Sequence, residues 1–306
     1  MSDAYADRLW DAVQRKAAPA AIALDPVFQN LPAEFSSSPV AERESISRFC
    51  REILAIIAPL VPVVKINSAY FEKYGGQGVG DYYQLVADAS RKGLLVIGDV
   101  KRGDVGHTAE MYAAAHLDGS KAPHPSEGAV PDAVTVSGYF GLDGVKPFID
   151  LANAQGRGLF VLVRTSNPSA AVIQDAELND GRKVHELMAA EVALWARDSA
   201  TTRPNGYSSV GAVVATRNAG DAARLRALLP QSWLLVPGYG AQGGRAEDFI
   251  PYFKPDSSGA LIAAGRSVIF AHQSPGYRDR FGDDWRACVE QACKDFVADL
   301  RRVVPG

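Results

Sequence analysis

The sequence is poor in the residues that build metal centres and disulfide frameworks. Its 306 residues include three cysteines and five histidines. Cys50, Cys288 and Cys293 are odd in number and form neither a CxxC pair nor a Cys/His cluster at zinc spacing. They read as reduced structural thiols, which favours a reducing compartment. His107, His116, His124, His185 and His272 lack ligand spacing with acids or cysteines, so no metal is expected. No basic tract is present either: 32 Lys and Arg against 35 Asp and Glu, a net charge of -3, are scattered along the chain. That speaks against nucleic acid and against an anionic membrane surface as partners. The longest apolar stretch near the N-terminus, residues 17–24, is too short to span a bilayer, and acids precede it where a secretory signal is basic. These absences together predict a cytoplasmic protein with a small-molecule partner.

What the sequence has is apolar and regularly spaced. Hydrophobic residues make up 47% of the chain, enough for one barrel-sized core or two ordinary ones. Eight short runs rich in Val, Ile, Leu and Ala predict buried strands at 20–25, 61–67, 94–101, 133–137, 159–166, 210–216, 233–238 and 260–266. Between them, helical spacing occupies 41–58, 81–92, 108–116, 144–154, 183–198, 220–229 and 246–252, and a last amphipathic helix covers roughly 284–303. Strict alternation means a parallel sheet covered on both faces, either an open doubly wound sheet or a closed (β/α)₈ TIM barrel. Polar residues at the C-terminal ends of strands one, two, three, five, seven and eight favour the barrel, because an open sheet concentrates its site at one switch point. The expected organisation is a single barrel domain over 1–306. It has an N-terminal helical extension, loop insertions near 117–131 and 167–209, and the C-terminal helix.

The strongest local signal is Asp99-Val100-Lys101-Arg102-Gly103-Asp104, where the third strand runs into its loop. Alternation turns Asp99 and Lys101 to one side of the strand, and Lys65 at the end of strand two reaches the same place. Opposite charges in such an array stabilise one another in their ionised forms. A solvated ion pair at a strand end is the plainer reading, but Gly103 and Gly106 around Asp104 also allow a loop that turns tightly over a ligand or a neighbouring chain.

These residues carry a family resemblance. Asp99-x-Lys101-x-x-Asp104 within GDVKRGDVGHTA, with Lys65-x-Asn67-x-Ala69-Tyr70-Phe71-Glu72 on the strand before, resembles orotidine 5′-monophosphate (OMP) decarboxylase, particularly its longer bacterial, type 2 branch. The likeness runs from Ala23-Leu24-Asp25-Pro26 to Ala264-Gly265-Arg266-Ser267; His107 and Tyr70 depart from the pattern without touching the charged array. The resemblance implies conversion of OMP to UMP and CO₂ without a cofactor. It also implies that Lys101 is the proton donor to C6, that Asp99 is the anion set against the substrate carboxylate, and that Lys65 bridges Asp99 and the ribose. Asp104 is implied to enter the site of a partner subunit in a homodimer. By the same resemblance Asp25 binds the ribose, Thr108 assists at the shared side, Ser166 reads the pyrimidine edge, and Gln242 and Arg266 hold the phosphate.

Each of those binding residues has a structural alternative. Asp25 before Pro26 is also a turn former, Ser166 sits in a polar turn ahead of Pro168, and Thr108 also fits a helix N-cap. For the phosphate, Pro237-Gly238-Tyr239-Gly240-Ala241-Gln242-Gly243-Gly244 after strand seven predicts backbone amides turned toward an anion, and Arg266 adds a permanently charged fork. Gly238-x-Gly240-x-x-Gly243 also fits a dinucleotide fingerprint, but it follows the seventh strand rather than the first. Two rival functions are a metal-dependent sugar-phosphate decarboxylase or aldolase of the same barrel, which Lys65 disfavours, and a non-catalytic phosphate-binding barrel.

Overall fold

A computed structural model describes residues 4–36, 41–121, 130–198, 206–216, 218–240 and 243–304. Its eight strands are β1 (Ala20–Leu24), β2 (Val63–Asn67), β3 (Leu95–Arg102), β4 (Ala133–Ser137), β5 (Gly158–Arg164), β6 (Ser208–Val214), β7 (Ser232–Tyr239) and β8 (Ala260–Ala264). They pair in chain order, all parallel, and β8 closes on β1. The chain is a (β/α)₈ barrel.

Alternation along each strand builds two buried layers. Residues such as Val64, Ile66, Val96, Val134, Val136 and Val161 face outward into the layer beneath the helices. Their neighbours Ala21, Val63, Ile97, Ala133, Phe160 and Leu261 face the barrel axis. Both faces are apolar, which is why the strands read as continuous hydrophobic runs. The helix Tyr5–Lys16 closes the floor, placing Tyr5, Leu9 and Val13 in the axial layer. There Tyr5 meets Phe160 edge-on at 6.1 Å between ring centroids, and Tyr207 lies 5.0 Å from Trp233. Arg8 ties this helix to Asp132 at 2.5 Å. At the other terminus the helix Trp285–Val303 is capped by Asp284, which accepts from the Ala287 amide, and Arg301 donates to the Ala17 carbonyl.

The helix expected from residue 81 begins at Gly75. A glycine-rich start hid its first turn, and packing explains it: a Cβ on Gly78 would lie 2.0 Å from the Phe71 carbonyl oxygen. Of the expected insertions, residues 122–129 and 199–205 lie outside the described residues; the stretch after β5 holds the helices Ala170–Gln174 and Val184–Asp198. Among the described residues no helix is long and apolar enough to cross a membrane.

Candidate active site

The axial rows change character as they rise. On β2 the row runs Val63, Lys65, Asn67; on β3 it runs Ile97, Asp99; on β4 it runs Ala133, Thr135. The upper members of these rows line a cavity of about 260 Å³ at the C-terminal mouth. Asp25, Lys65, Asp99, Lys101, Ser166 and Arg266 all line it. Six predicted site residues, spread along the sequence from position 25 to position 266, therefore share one chamber.

Its centre is the Asp99 carboxylate. Lys65 Nζ donates to Asp99 Oδ2 at 2.5 Å, and Lys101 Nζ donates to Oδ1 at 2.5 Å. The Thr135 hydroxyl donates to Oδ1 at 3.0 Å. Asp99 is 7% exposed, and burial by itself would raise its pKa; the two ammonium groups and their hydrogen bonds outweigh that and hold the carboxyl well below the usual carboxylate range. Burial likewise works against the Lys65 charge, but Asp99 and, at 3.6 Å, Asp25 keep its pKa above the ordinary lysine value. The set carries two cations and two anions. Lys65 is enclosed, whereas the Lys101 side chain is half exposed and faces the chamber.

Lys101 reaches this place through a backbone irregularity that alternation does not predict. Gly98 pairs with Val134 and Arg102 with Val136, so Asp99, Val100 and Lys101 stand against Thr135 alone. The bulge puts Lys101 in the left-handed region at φ 45°, a costly conformation for a residue with a Cβ. Its amide donates to the Thr135 hydroxyl at 3.0 Å. Arg102 braces the bulge from the other side, donating to the Val100 carbonyl at 2.9 Å and pairing with Glu72.

The remaining predicted residues lie differently. Asp104 is absent from the cavity lining, and its Oδ1 accepts from the Val105 amide. Val105 next to it and Phe140, which meets the same glycine, Gly144, as the Asp104 carbonyl, are exposed apolar side chains. Thr108 is exposed within the helix Gly106–Leu117, whose N-cap is Val105, so the N-cap alternative for Thr108 fails. Gln242 lies outside the described residues. The glycine loop after β7 also corrects the expectation of free amides. Gly240 N–H donates to the Gly244 carbonyl, Gly243 N–H to Gly240, and Gly244 N–H to Gly238; the loop spends these amides on its own turn. Arg266 opens a short helix after β8, exposed, with no acid paired to it among the described residues. No three His, Cys, Asp or Glu side chains among the described residues converge as a metal site would require.

The sequence profile of the orotidine 5′-phosphate decarboxylase / HUMPS family matches residues 33–276. This chain belongs to that family. An orotidine 5′-phosphate decarboxylase of Rhodopirellula baltica is 35% identical over 298 residues, spanning 94% of this chain and 96% of its own. The Clostridium tetani orotidine 5′-phosphate decarboxylase is 34% identical over 275 residues, 90% of this chain and 91% of its own. Among solved structures, a Streptomyces avermitilis protein assigned as orotidine 5′-phosphate decarboxylase superposes with a TM-score of 0.81 at 31% identity, covering 100% of this chain and 97% of that one.

Within this decarboxylase-family fold, sequence reasoning missed Thr135, Thr165 and Tyr239, which also line the cavity. Thr135 had a readable signal: in Ala133-Val134-Thr135-Val136-Ser137 it is a polar residue at the middle of a strand, between two valines, on the axial side. Tyr239 had none. It sits among the glycines, and its hydroxyl donates outward to Asp299 at 2.6 Å.

Proposed function

We propose that this chain carries out the carboxy-lyase reaction of its family in pyrimidine biosynthesis, OMP to UMP and CO₂, with side chains alone. The observation that carries the reading is Asp99 clamped between Lys65 and Lys101 at 2.5 Å on either side, at the barrel mouth. When the bond from C6 to the carboxylate breaks, its electron pair stays on C6 in the plane of the ring, where the pyrimidine cannot spread it. A preorganised cation beside that carbon stabilises the charge as it develops. Lys101 supplies the cation and then its proton, and its half-exposed position lets solvent restore the ammonium. Asp99, kept ionised by its neighbours, faces the substrate carboxylate and disfavours that charge relative to departing CO₂. Asp25 takes the ribose hydroxyls beside Lys65, Ser166 the pyrimidine edge, and Arg266 with Gln242 the phosphate. Binding energy from phosphate and ribose then orients the ring without weakening the chemistry at C6. The test is UMP formation from OMP in the presence of EDTA. Turnover that requires added metal assigns the barrel to sugar-phosphate chemistry, and binding without turnover makes it a binding protein.

We further propose that residues 1–306 act as one barrel domain in a cytoplasmic two-fold homodimer. Thr108 would lie at the subunit-shared side. The buried, unpaired thiols of Cys50, Cys288 and Cys293 support the reducing compartment. Asp104 stands outside its own chain's cavity beside the exposed Val105 and Phe140, which supports its entry into a partner's site. Lys101→Ala and Asp104→Ala chains, each inactive alone, should recover about a quarter of wild-type activity when co-refolded, because random pairing makes half the dimers mixed with one whole site each. No recovery despite proven subunit exchange would place Asp104 in its own chain's chemistry.

A further inference from the structure

The bulge in β3 creates a problem that one side chain solves. Three residues of β3 face one residue of β4, so the Lys101 amide has no ladder carbonyl to meet. A partly buried N–H without a partner is unfavourable. The residue opposite, Thr135, is 1% exposed, and its hydroxyl is the acceptor, at 3.0 Å. The same hydroxyl has one proton to give, and it gives it to Asp99 Oδ1, also at 3.0 Å. That oxygen is the one Lys101 Nζ binds. A single hydroxyl thus touches the Lys101 backbone and the carboxylate that holds the Lys101 side chain. A hydroxyl offers both an acceptor and a donor, and threonine carries it on a β-branched side chain that suits a buried strand position.

We propose that Thr135 is a positioning residue for the decarboxylation: it locks Lys101 in its left-handed backbone conformation and fixes the Asp99 oxygen against which the lysine is aimed. The proposal rests on the reading of Lys101 as the group that protonates C6. Thr135 does not itself touch the reacting carbon. Its hydroxyl acts through the geometry of two residues that do the chemistry, so its loss should appear in the chemical step rather than in substrate affinity.

The test compares Thr135→Val, which keeps the shape and removes the hydroxyl, with Thr135→Ser, which keeps the hydroxyl. Valine is expected to lower kcat for OMP by about 10- to 100-fold, the size of one lost charge-assisted hydrogen bond, while KM and the inhibition constant of UMP stay close to wild type. Serine is expected to restore most of kcat. A valine variant with wild-type kcat overturns the proposal, as does a serine variant as impaired as valine, or a kcat loss matched by an equal loss of UMP affinity. Should the valine chain fail to fold, the serine variant alone decides: wild-type kcat supports the role and a large loss refutes it. A crystal structure of the valine variant gives a reading independent of turnover. Lys101 leaving the left-handed region, or its ammonium leaving Asp99, supports the role; an unchanged bulge overturns it. Wild-type protein that fails to form UMP from OMP would strike the assigned activity, whereas the crystallographic comparison would still judge the hydroxyl.

Discussion

The floor and the mouth of this barrel are built from the same inward-facing rows, one pleat apart. At the floor the rows hold Val63, Ile97, Ala133 and Phe160, sealed from below by Tyr5 and Leu9. Two residues on, about 7 Å along each strand, β2, β3 and β4 present Lys65, Asp99 and Thr135 instead. The floor is insensitive to which apolar residue stands where, provided the volume is filled. The mouth depends on particular partners, because a buried charge is tolerated only while its counter-charges and hydrogen bonds are in place. Stability and chemistry therefore separate along the barrel axis, and substitutions at the two levels should separate them in turn.

The largest effect belongs to the mouth. Lys101→Ala should reduce UMP formation from OMP by on the order of 10⁴-fold or more, since it removes both the stabilising cation and the proton source. The fold should persist, because the side chain is half exposed and its partner Asp99 keeps Lys65 and Thr135. Turnover and a thermal melt on the same preparation check this. Near-wild-type turnover in a folded variant would remove Lys101 from the role of donor and dissolve the contrast between the two levels.

The complementary experiment lies directly below. Phe160→Ala empties a fully buried position that meets Tyr5 and spares every charged group above it. It should cost about 3–5 kcal/mol of stability, as large-to-small core substitutions of aromatic residues do. At temperatures where the variant remains folded, kcat per folded molecule should be unchanged. Chemical denaturation and steady-state kinetics read the two quantities separately. A kcat that falls in step with stability would mean that floor packing sets the geometry of the mouth, and that the two levels are one unit.

How much of this was legible beforehand follows from the same division. The strands were visible because both of their faces are apolar, and β4 falls at 133–137 as the composition places it. The charged set was visible because Asp99 and Lys101 are two positions apart at a strand end, next to a strand bearing Lys65. The bulge was not visible. It depends on the register of β3 against β4, two segments whose contacts join residues more than thirty positions apart, such as Lys101 and Thr135. Alternation brought the two charged side chains together for a simpler reason than the one the backbone uses. Glycine spacing after β7 suggested free amides for an anion, yet Gly240, Gly243 and Gly244 consume theirs within the loop. Composition gives a loop its freedom but not the partners of its N–H groups.

Arg266 sharpens the comparison within the mouth itself, between the enclosed charges around Asp99 and the open rim. Its guanidinium is exposed and pairs with no acid among the described residues, so the folded protein holds it ready for an external anion rather than for a neighbour. Arg266→Ala should leave the melting temperature essentially unchanged, because surface substitutions without a structural partner have small effects. For OMP, kcat/KM should fall by about 10- to 100-fold, the contribution of a charge-assisted contact to phosphate. For orotidine, which has the same base and ribose but no phosphate, the loss should be close to nil, since the guanidinium then has nothing to grip. The ratio of the two losses is the informative quantity. A large ratio assigns Arg266 to the phosphate and leaves the chemistry at C6 to Lys101 and Asp99. Equal losses would show that the rim arginine acts on the reacting ring or on the charged array, and phosphate recognition would then have to be sought elsewhere along the loops after β7 and β8.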